Sequence, residues 1–195
     1  MARLEWFFDV ICPQVAVAAA RLGTLARETG HELVLRPVSL ARMYERQRLP
    51  SQPEQAWPAS KRELHHRDTH RQAEDAGVHL RGPLDRPVTE STAAQQLLAG
   101  APDPARPGLL HGLLSATWER GKPLDDEGLL RRLADDHGVD PGVITATESR
   151  AALERTTDEA LDRGAFGVPT FMLDDRLWWG ADRLAFVAGA LGGAA

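Results

Sequence analysis

The sequence predicts an α/β fold in which a long helical segment interrupts a small sheet. Residues 4–10 are apolar and aromatic, as in a buried strand, and residues 31–38 alternate between apolar and polar side chains. Between these two predicted strands, apolar side chains recur at helical spacing from Pro13 until Gly30. The middle of the chain carries only helical patterns, and its end returns to strand-like ones.

The middle of the chain is predicted to be all-helical. Polar residues and prolines at 42–56 indicate a loop, and Pro- and Gly-rich breaks separate the segments that follow. The predicted helices cover residues 58–76, 90–98, 109–120, 127–137 and 150–163. Residues 1–41 and 164–195 are therefore assigned to one domain and residues 42–163 to a helical insertion domain.

The end of the chain is predicted to form a hairpin and a last helix. Residues 167–173 have the pattern of a strand, and residues 176–179 that of its partner. Asp174 and Asp175 form the turn between them. The last helix is predicted at 183–191, with Asp182 as its N-cap.

Composition excludes several classes of function. No basic block interleaved with aromatic residues is present, and the net charge is −5, so nucleic-acid binding has little support. No apolar run approaches the roughly 20 residues of a membrane span. The first ten residues lack the pattern of a signal peptide. Since a single cysteine cannot form an internal disulfide, we expect a cytoplasmic protein with a reduced thiol.

The one cysteine stands in FFDVICPQV, at the predicted junction of strand and helix. The motif looks like the redox pattern C-P-x-C with its second cysteine replaced by Val15. Unpaired backbone N–H groups and the helix dipole at a helix start favour a thiolate, so the pKa of Cys12 is predicted to be lowered. Because a core cysteine has no reason to precede a proline at such a break, Cys12 is the predicted catalytic residue.

A second motif, Gly167-Val168-Pro169-Thr170, opens a predicted strand. Proline cannot donate to a sheet ladder, so its position needs an explanation. One explanation is a cis Val168–Pro169 bond, which would leave the Val168 N–H and C=O free to pair with a peptide-like ligand. The other is an ordinary trans proline at a sheet edge, and the sequence leaves both open.

These motifs together resemble the thioredoxin-like fold with a DsbA-type helical insertion. Within that group, the chain is similar to the family of 2-hydroxychromene-2-carboxylate isomerases and kappa-class glutathione transferases. The resemblance covers nearly the full length and is carried by FFDVICP, ERTTDEALDRGAFGVPTF and WWGADRLAFV. The stretch PASKRELHHRD matches the family's P-x-x-K-x-x-x-x-x-x-D helix loosely.

The resemblance implies a glutathione cofactor, no metal, a small-molecule substrate and often a homodimer. Cys12 occupies the position of a family serine whose hydroxyl favours the glutathione thiolate. The Val168 backbone would pair with the cysteinyl part of glutathione, and Asp182 with the Ala181 N–H would hold its γ-glutamyl end. The implied cofactor-binding residues are Pro13, Lys61, Val168, Pro169, Ala181 and Asp182, with Gln14 and Trp179 as candidate substrate contacts.

Three departures from the family pattern bear on the cofactor. Ala181 stands where the family commonly has serine, and the loop before Lys61 has no asparagine where the family has one. A Cys12 thiolate would repel a glutathione thiolate, and a neutral thiol would be a weak donor. The working thiol is therefore glutathione, another small thiol, or Cys12 itself acting as the nucleophile.

The predicted function is an enzyme, an isomerase or transferase that acts on a small conjugated or aromatic molecule by reversible thiolate addition. One alternative is a monothiol oxidoreductase of the DsbA or FrnE type, resolved by an external thiol. Another is a non-catalytic thioredoxin-like module that binds a peptide or small thiol.

Further side chains are candidates for lesser roles. His65, His66 and His70 share a predicted helix, but their pattern favours a solvated or substrate-facing surface over a metal site. Asp9 is either a buried proton acceptor or a strand-end carboxylate that binds local N–H groups. Trp57 and Trp118 are predicted to be packing residues.

Overall fold

The sheet is organised around β1 (Arg3–Phe8), whose aromatic side chains Trp6, Phe7 and Phe8 are all buried. The computed structural model describes residues 3–81 and 83–192. Outside the described residues lie 1, 2, 82 and 193–195. These include both ends of the chain that were assigned to the sheet-containing domain, and two of the ten residues that lack the pattern of a signal peptide. The apolar side chains of β1 are explained by its central place in the sheet, while Glu5 is only partly buried and pairs with Arg36 and Arg163.

Four strands form one mixed sheet in the order β2-β1-β3-β4 within the described residues. β2 (Glu32–Pro37) runs parallel to β1, which requires the crossover helix between them. β3 (Thr170–Leu173) pairs antiparallel with both β1 and β4 (Arg176–Trp179), and the register places Trp6 opposite Phe171. The α/β thioredoxin-like fold with a helical insertion is confirmed.

Eight α-helices accompany the sheet in the described part of the chain. They are α1 (Pro13–Thr29), α2 (Leu40–Arg46), α3 (Ala59–Asp75), α4 (Thr92–Gly100), α5 (Arg106–Leu114), α6 (Glu127–Asp136), α7 (Thr147–Asp162) and α8 (Leu184–Ala190). Short 3₁₀ segments lie at Pro53–Ala56, Val88–Ser91, Pro141–Ile144 and Ala181–Arg183, and a π-helical turn at Ser115–Glu119 continues α5. Nowhere in residues 3–81 and 83–192 is a helix both long and apolar enough to cross a membrane.

The first helix begins and ends where the sequence predicts. Cys12 is its N-cap residue with extended backbone angles, and Pro13 follows in the first turn, where a missing N–H is harmless. Gly30 closes the helix at φ 67°, in the left-handed region that favours glycine.

The predicted loop at 42–56 is wrong, because α2 and the 3₁₀ turn Pro53–Ala56 lie in it. The Ser39 hydroxyl caps α2 by accepting the Arg42 N–H at 3.2 Å. Arg42 pairs with Asp158 on α7 at 2.7 Å, and Arg46 lies 3.4 Å from the same carboxylate. The polar side chains that suggested a loop therefore face a neighbouring helix.

Two further boundaries differ from the prediction. Asp182 is not an N-cap: Gly180 precedes the 3₁₀ turn, and Asp182 lies inside its first turn without a capping hydrogen bond. The predicted strand at 167–173 begins only at Thr170. The boundary predicted between residues 41 and 42 falls inside α2, and the division into two domains stays a prediction.

A buried glutamine joins the insertion to the sheet. Gln95 of α4 donates through its side-chain amide to the carbonyl oxygens of Phe8 at 2.9 Å and Val38 at 2.6 Å. Its Oε1 accepts the Val10 N–H at 3.4 Å. These three backbone groups lie just beyond or at the ends of β1 and β2. The Phe8 oxygen also accepts the Val38 N–H at 3.0 Å, whereas Gln95 is the partner found in the described residues for the Val10 N–H and the Val38 carbonyl oxygen.

We expect Gln95→Leu to lower the free energy of unfolding by about 2–4 kcal/mol, because it leaves buried backbone groups without partners. Chemical denaturation followed by circular dichroism measures the change. Gln96→Leu, one position along the same helix and without a side-chain hydrogen bond in the described residues, is the matched control and should stay within about 0.5 kcal/mol. Equal effects of the two substitutions would contradict the role of Gln95.

Candidate active site at the start of the first helix

The structure brings the two sequence motifs together. The Val168–Pro169 peptide bond is cis, which decides between the two explanations for that proline. Cys12 lies beside it, and its Sγ donates to the Val168 carbonyl oxygen at 3.5 Å. The loop that carries the cysteine is closed by a hydrogen bond from the Cys12 N–H to the Asp9 carbonyl oxygen at 3.1 Å.

The environment of the Cys12 thiol favours its neutral form. Burial raises the pKa of Cys12 to about 12, and the backbone N–H groups of Gln14 and Val15 offset only part of this effect. The carboxylates of Asp9 and Glu54 raise the pKa further. The predicted lowering of the Cys12 pKa is therefore wrong. The free energy lost by removing a thiolate from water exceeds the stabilisation that the N–H groups at the start of α1 provide.

A small compartment of about 60 Å³ opens beside the thiol. Its floor is formed by Ile11, Cys12 and Pro13, and its other walls come from the insertion and its connections. These walls are Leu40, Tyr44, Ser51, Gln52, Pro53, Glu54, Leu84, Asp85, Arg86 and Val88. The compartment has room for a few heavy atoms, such as a thiol and the group it reacts with, and not for a whole cofactor.

Glu54 is the acidic centre of a cluster at this compartment. Its two carboxylate oxygens lie 3.5 Å from His65 Nε2 and 3.3 Å from His66 Nε2, both on α3. Burial acts to raise the pKa of Glu54, but the hydrogen bonds and charges of the two histidines outweigh it and lower the pKa. The cluster therefore places one carboxylate and two imidazole nitrogens, all able to exchange protons, at the edge of the compartment beside the thiol.

Two more side chains give the compartment its polarity. Burial, together with the nearby Cys12 and the carboxylates of Glu54 and Asp9, raises the pKa of Tyr44, so the phenol stays a neutral hydrogen-bond donor. The guanidinium of Arg86 lies 5.8 Å from the ring centroid of Trp118, and its Nε is 4.0 Å from Glu90. Among the described residues that line it, the compartment therefore combines the guanidinium of Arg86 with the carboxylates of Glu54 and Asp85.

Asp9 lies directly below the loop and is buried. Its carboxylate accepts the Ile11 N–H at 3.2 Å and the Leu40 N–H at 2.9 Å, as expected of a strand-end carboxylate. Burial nevertheless raises the pKa of Asp9 to about 6 against these hydrogen bonds. The two interpretations of Asp9 are thus compatible: it fixes the loop, and it can be protonated in mildly acidic solution.

Of the residues predicted to contact glutathione, Val168 binds the Cys12 thiol, and Ala181 and Asp182 lie in a turn next to α1. The Val168 carbonyl accepts the Cys12 thiol, while no hydrogen bond from the Val168 N–H occurs within the described residues. Ala181 is buried, and the exposed Asp182 carboxylate lies 3.5 Å from Arg183. The 3₁₀ turn that holds Ala181 and Asp182 packs against α1, the helix that begins at Cys12.

Three other predicted residues do not line the compartment beside Cys12. Lys61 is exposed on α3, with its Nζ 4.1 Å from the ring centroid of Trp57. The amide of Gln14 donates to Thr69 at 3.2 Å, and its buried Oε1 has no partner in the described part of the chain. Trp179 is 49% exposed, packs on Phe166 and lies over Gly167, where an added Cβ would come within 2.9 Å of its indole nitrogen. Their roles stay predictions.

Sequence reasoning missed most of the compartment walls. Tyr44, Glu54, Asp85 and Arg86 come from a segment taken for a loop and from a Pro-rich break, where no periodicity marks a functional side chain. The adjacent pair His65-His66 was the one usable signal in the sequence. Both histidines contact the carboxylate of Glu54, but the sequence alone does not identify which carboxylate lies beside them.

Known proteins show the same overall arrangement. A 2-hydroxychromene-2-carboxylate isomerase from Sphingobium xenophagum is 27% identical over 190 residues, which are 94% of this chain and 95% of that protein. A solved structure of a 2-hydroxychromene-2-carboxylate isomerase superposes with a TM-score of 0.81 at 23% identity, covering 97% of this chain and 94% of that one. The cytosolic disulfide reductase DsbM from Pseudomonas aeruginosa, solved with GSH, superposes with a TM-score of 0.63 at 20% identity, covering 97% and 95%.

These similarities agree with the match of residues 3–192 to the family described as the DSBA-like thioredoxin domain. The match includes the Cys12 loop, the whole insertion and the cis-proline segment. The chain belongs to the DSBA-like thioredoxin domain family.

Proposed function

We propose that this chain is a glutathione-dependent isomerase that acts on a small conjugated or aromatic molecule of the 2-hydroxychromene-2-carboxylate class. The support is the full-length similarity to proteins of that name, together with a related fold that has been solved with GSH. A cytoplasmic location, a homodimer and the two-domain division are part of the same proposal and rest on the resemblance and the sequence pattern.

One observation carries the choice of nucleophile. Burial raises the pKa of Cys12 far above neutral, so the thiol form predominates at pH 7. The thiol donates toward the Val168 carbonyl, as a neutral hydrogen-bond donor does. This state fits a residue that stabilises a bound thiolate and does not fit a residue that attacks the substrate itself.

The residues beside Cys12 fit the peptide-like part of glutathione. The Val168 N–H has no partner in the described residues and is available to the backbone of an extended ligand. Asp182 presents an exposed carboxylate at the start of the last helix, suited to an ammonium group. Its neighbour Arg183, 3.5 Å away, competes for this carboxylate only weakly because both side chains are half exposed.

Bound glutathione would supply the thiol that adds reversibly to a conjugated double bond and so permits rotation about it. The Cys12 S–H would turn from the Val168 carbonyl toward the added sulfur and favour its anionic form. The Glu54–His65–His66 cluster would accept the thiol proton, since it supplies a carboxylate and imidazole nitrogens at the edge of the compartment. Arg86 and Tyr44 would face the negative charge that develops on the substrate.

The raised pKa of Cys12 also bears on the alternative of monothiol disulfide exchange. Such exchange requires a thiolate as the attacking group, and the burial of Cys12 opposes its formation. The environment of Cys12 therefore favours the isomerase over the oxidoreductase.

We expect alkylation of Cys12 by iodoacetamide to be slow near pH 7–8 and to rise about tenfold per pH unit without levelling off below about pH 9. A raised pKa means less thiolate at neutral pH, so the reaction rate falls in proportion. Mass spectrometry of the chain after timed exposure measures the rate. The same chain in urea is the control, because its unfolded thiol should titrate near pH 8.5. A folded-state rate that already titrates below pH 8 would show that Cys12 is the nucleophile.

The purified chain should isomerise 2-hydroxychromene-2-carboxylate when glutathione is present and return to the uncatalysed rate when it is removed. Absorbance spectroscopy follows the reaction. Cys12→Ser should keep the rate within about tenfold of the wild type or raise it, since a hydroxyl is the better donor. Loss of all activity in Cys12→Ser, or turnover by the wild type without added thiol, would reject the assigned role of Cys12. No turnover under any of these conditions would reject the isomerase.

Asp182→Ala should weaken glutathione binding by several-fold to about tenfold, because it removes the carboxylate assigned to the ammonium group. Isothermal titration calorimetry measures the dissociation constant. Asp175→Ala, in the exposed turn between β3 and β4, removes the same charge elsewhere and should leave binding unchanged. If both substitutions weaken binding alike, the effect is one of net charge and the specific contact is refuted.

A further inference from the structure

We propose that residues 49–57 form a lid over the compartment at Cys12, which opens to admit a conjugated substrate and closes around the reacting thiol. The lid follows the end of α2 and contains the 3₁₀ turn Pro53–Ala56. One side of the compartment is formed by its residues Ser51, Gln52, Pro53 and Glu54. As a gate for substrate the lid rests on the proposed function, whereas its movement can be measured without it.

The compartment is too small for the proposed substrate while the lid is in place. Its volume is about 60 Å³, whereas sites that enclose small organic molecules have roughly 300 Å³ or more. The other walls cannot give way easily, because Leu40, Leu84 and Val88 in them belong to the hydrophobic core. Space for a larger molecule beside the thiol therefore has to come from the side that the lid forms.

The lid has no residue in the hydrophobic core. Of residues 44–68, all of which the structure describes, none is buried, whereas Met43 before them and Thr69 after them are. The leucine of the lid, Leu49, is 43% exposed. Because a segment with little buried apolar surface opens at a small cost in free energy, the lid can move while the rest of the chain stays folded.

A few polar contacts hold the lid in place. The Ser51 carbonyl oxygen accepts the Val88 N–H at 3.4 Å, and the Gln52 side-chain amide donates to the Asp85 carbonyl oxygen. Glu54 binds the two histidines of α3 described above. Within the described residues, no hydrogen bond joins the lid to the sheet, to α1 or to the cis-proline segment. The lid can therefore leave the thiol without breaking a hydrogen bond to the elements that position it.

The backbone leaves the helical conformation at both ends of the lid. Arg48, which follows α2, has φ 58°, in the left-handed region that residues other than glycine seldom adopt. Pro58 at the other end is the N-cap residue of α3, with φ −53° and ψ 143°. Hinges of mobile segments are commonly a few element-terminal residues of this kind, and rotation there leaves the two flanking helices intact.

The test compares two alkylating reagents that carry the same reactive group and differ in size, iodoacetamide and N-(1-pyrenyl)iodoacetamide. Both attack the Cys12 thiolate, so the ratio of their rates reports the space around the thiol and not its pKa. Mass spectrometry measures the rates, and each ratio, large reagent over small, is normalised to that of the same chain in urea. Neither glutathione nor turnover is needed, so failure of the lid and failure of the isomerase are separate outcomes.

Ser51→Cys/Val88→Cys, oxidised to a disulfide, should lock the lid, since the two backbones already meet in a hydrogen bond. We expect its normalised ratio to fall about tenfold or more below that of the wild type, because the large reagent requires the open state. Ser51→Ala/Val88→Ala removes the same side chains without forming a bond and should keep the ratio at or above the wild-type value. The proposal is overturned by a locked chain that the large reagent labels like the wild type, or by a wild type that it does not label.

Gln52→Ala should open the lid more often and raise the normalised ratio about fivefold, the effect expected from the loss of one neutral hydrogen bond. Gln72→Ala is the matched control, because its amide binds Asp68 within α3, and it should leave the ratio unchanged. Equal ratios for the two variants would also overturn the proposal. This comparison decides the matter by itself where the introduced disulfide does not form.

Discussion

Buried polar side chains hold the four residues between β1 and α1, and the position of Cys12 depends on them. The Asp9 carboxylate binds the N–H groups of Ile11 and Leu40, which ties the loop to the start of α2. The Val10 N–H is held by Gln95 and its carbonyl oxygen by Trp118, both from the insertion. Because every one of these groups is buried, a shift of the loop would leave polar atoms unpaired, and the thiol is correspondingly fixed against Val168.

The same burial that fixes the loop decides the chemistry of the thiol. A helix start stabilises an anion through its free N–H groups, and this contribution is present at Gln14 and Val15. Desolvation and two nearby carboxylates act against it and prevail. The Cys12 thiol is thus held as a neutral donor to the Val168 carbonyl oxygen.

The fold was predictable because its signals are local. The apolar run of β1, the Pro13 and Gly30 limits of α1, and the hairpin around Asp174 and Asp175 each follow from neighbouring residues. The pairing of Cys12 with the Val168–Pro169 segment followed from the family resemblance. The pKa of Cys12 did not follow, because it depends on burial by residues distant in sequence. The Glu54 cluster and the true extent of α2 did not follow either, because tertiary ion pairs with His65, His66 and Asp158 create them.

The contacts of Gln95 also determine how this architecture can vary. An inserted segment is often regarded as an addition that the smaller fold does not need for its own stability. Here one amide from the insertion binds backbone groups at and just beyond the ends of β1 and of the edge strand β2. A variant of this chain without α4 would leave the Val10 N–H and the Val38 carbonyl oxygen, near Cys12, without the partner that Gln95 provides. A replacement for α4 would therefore have to supply an amide at this point to keep the Val10 N–H and the Val38 carbonyl oxygen paired.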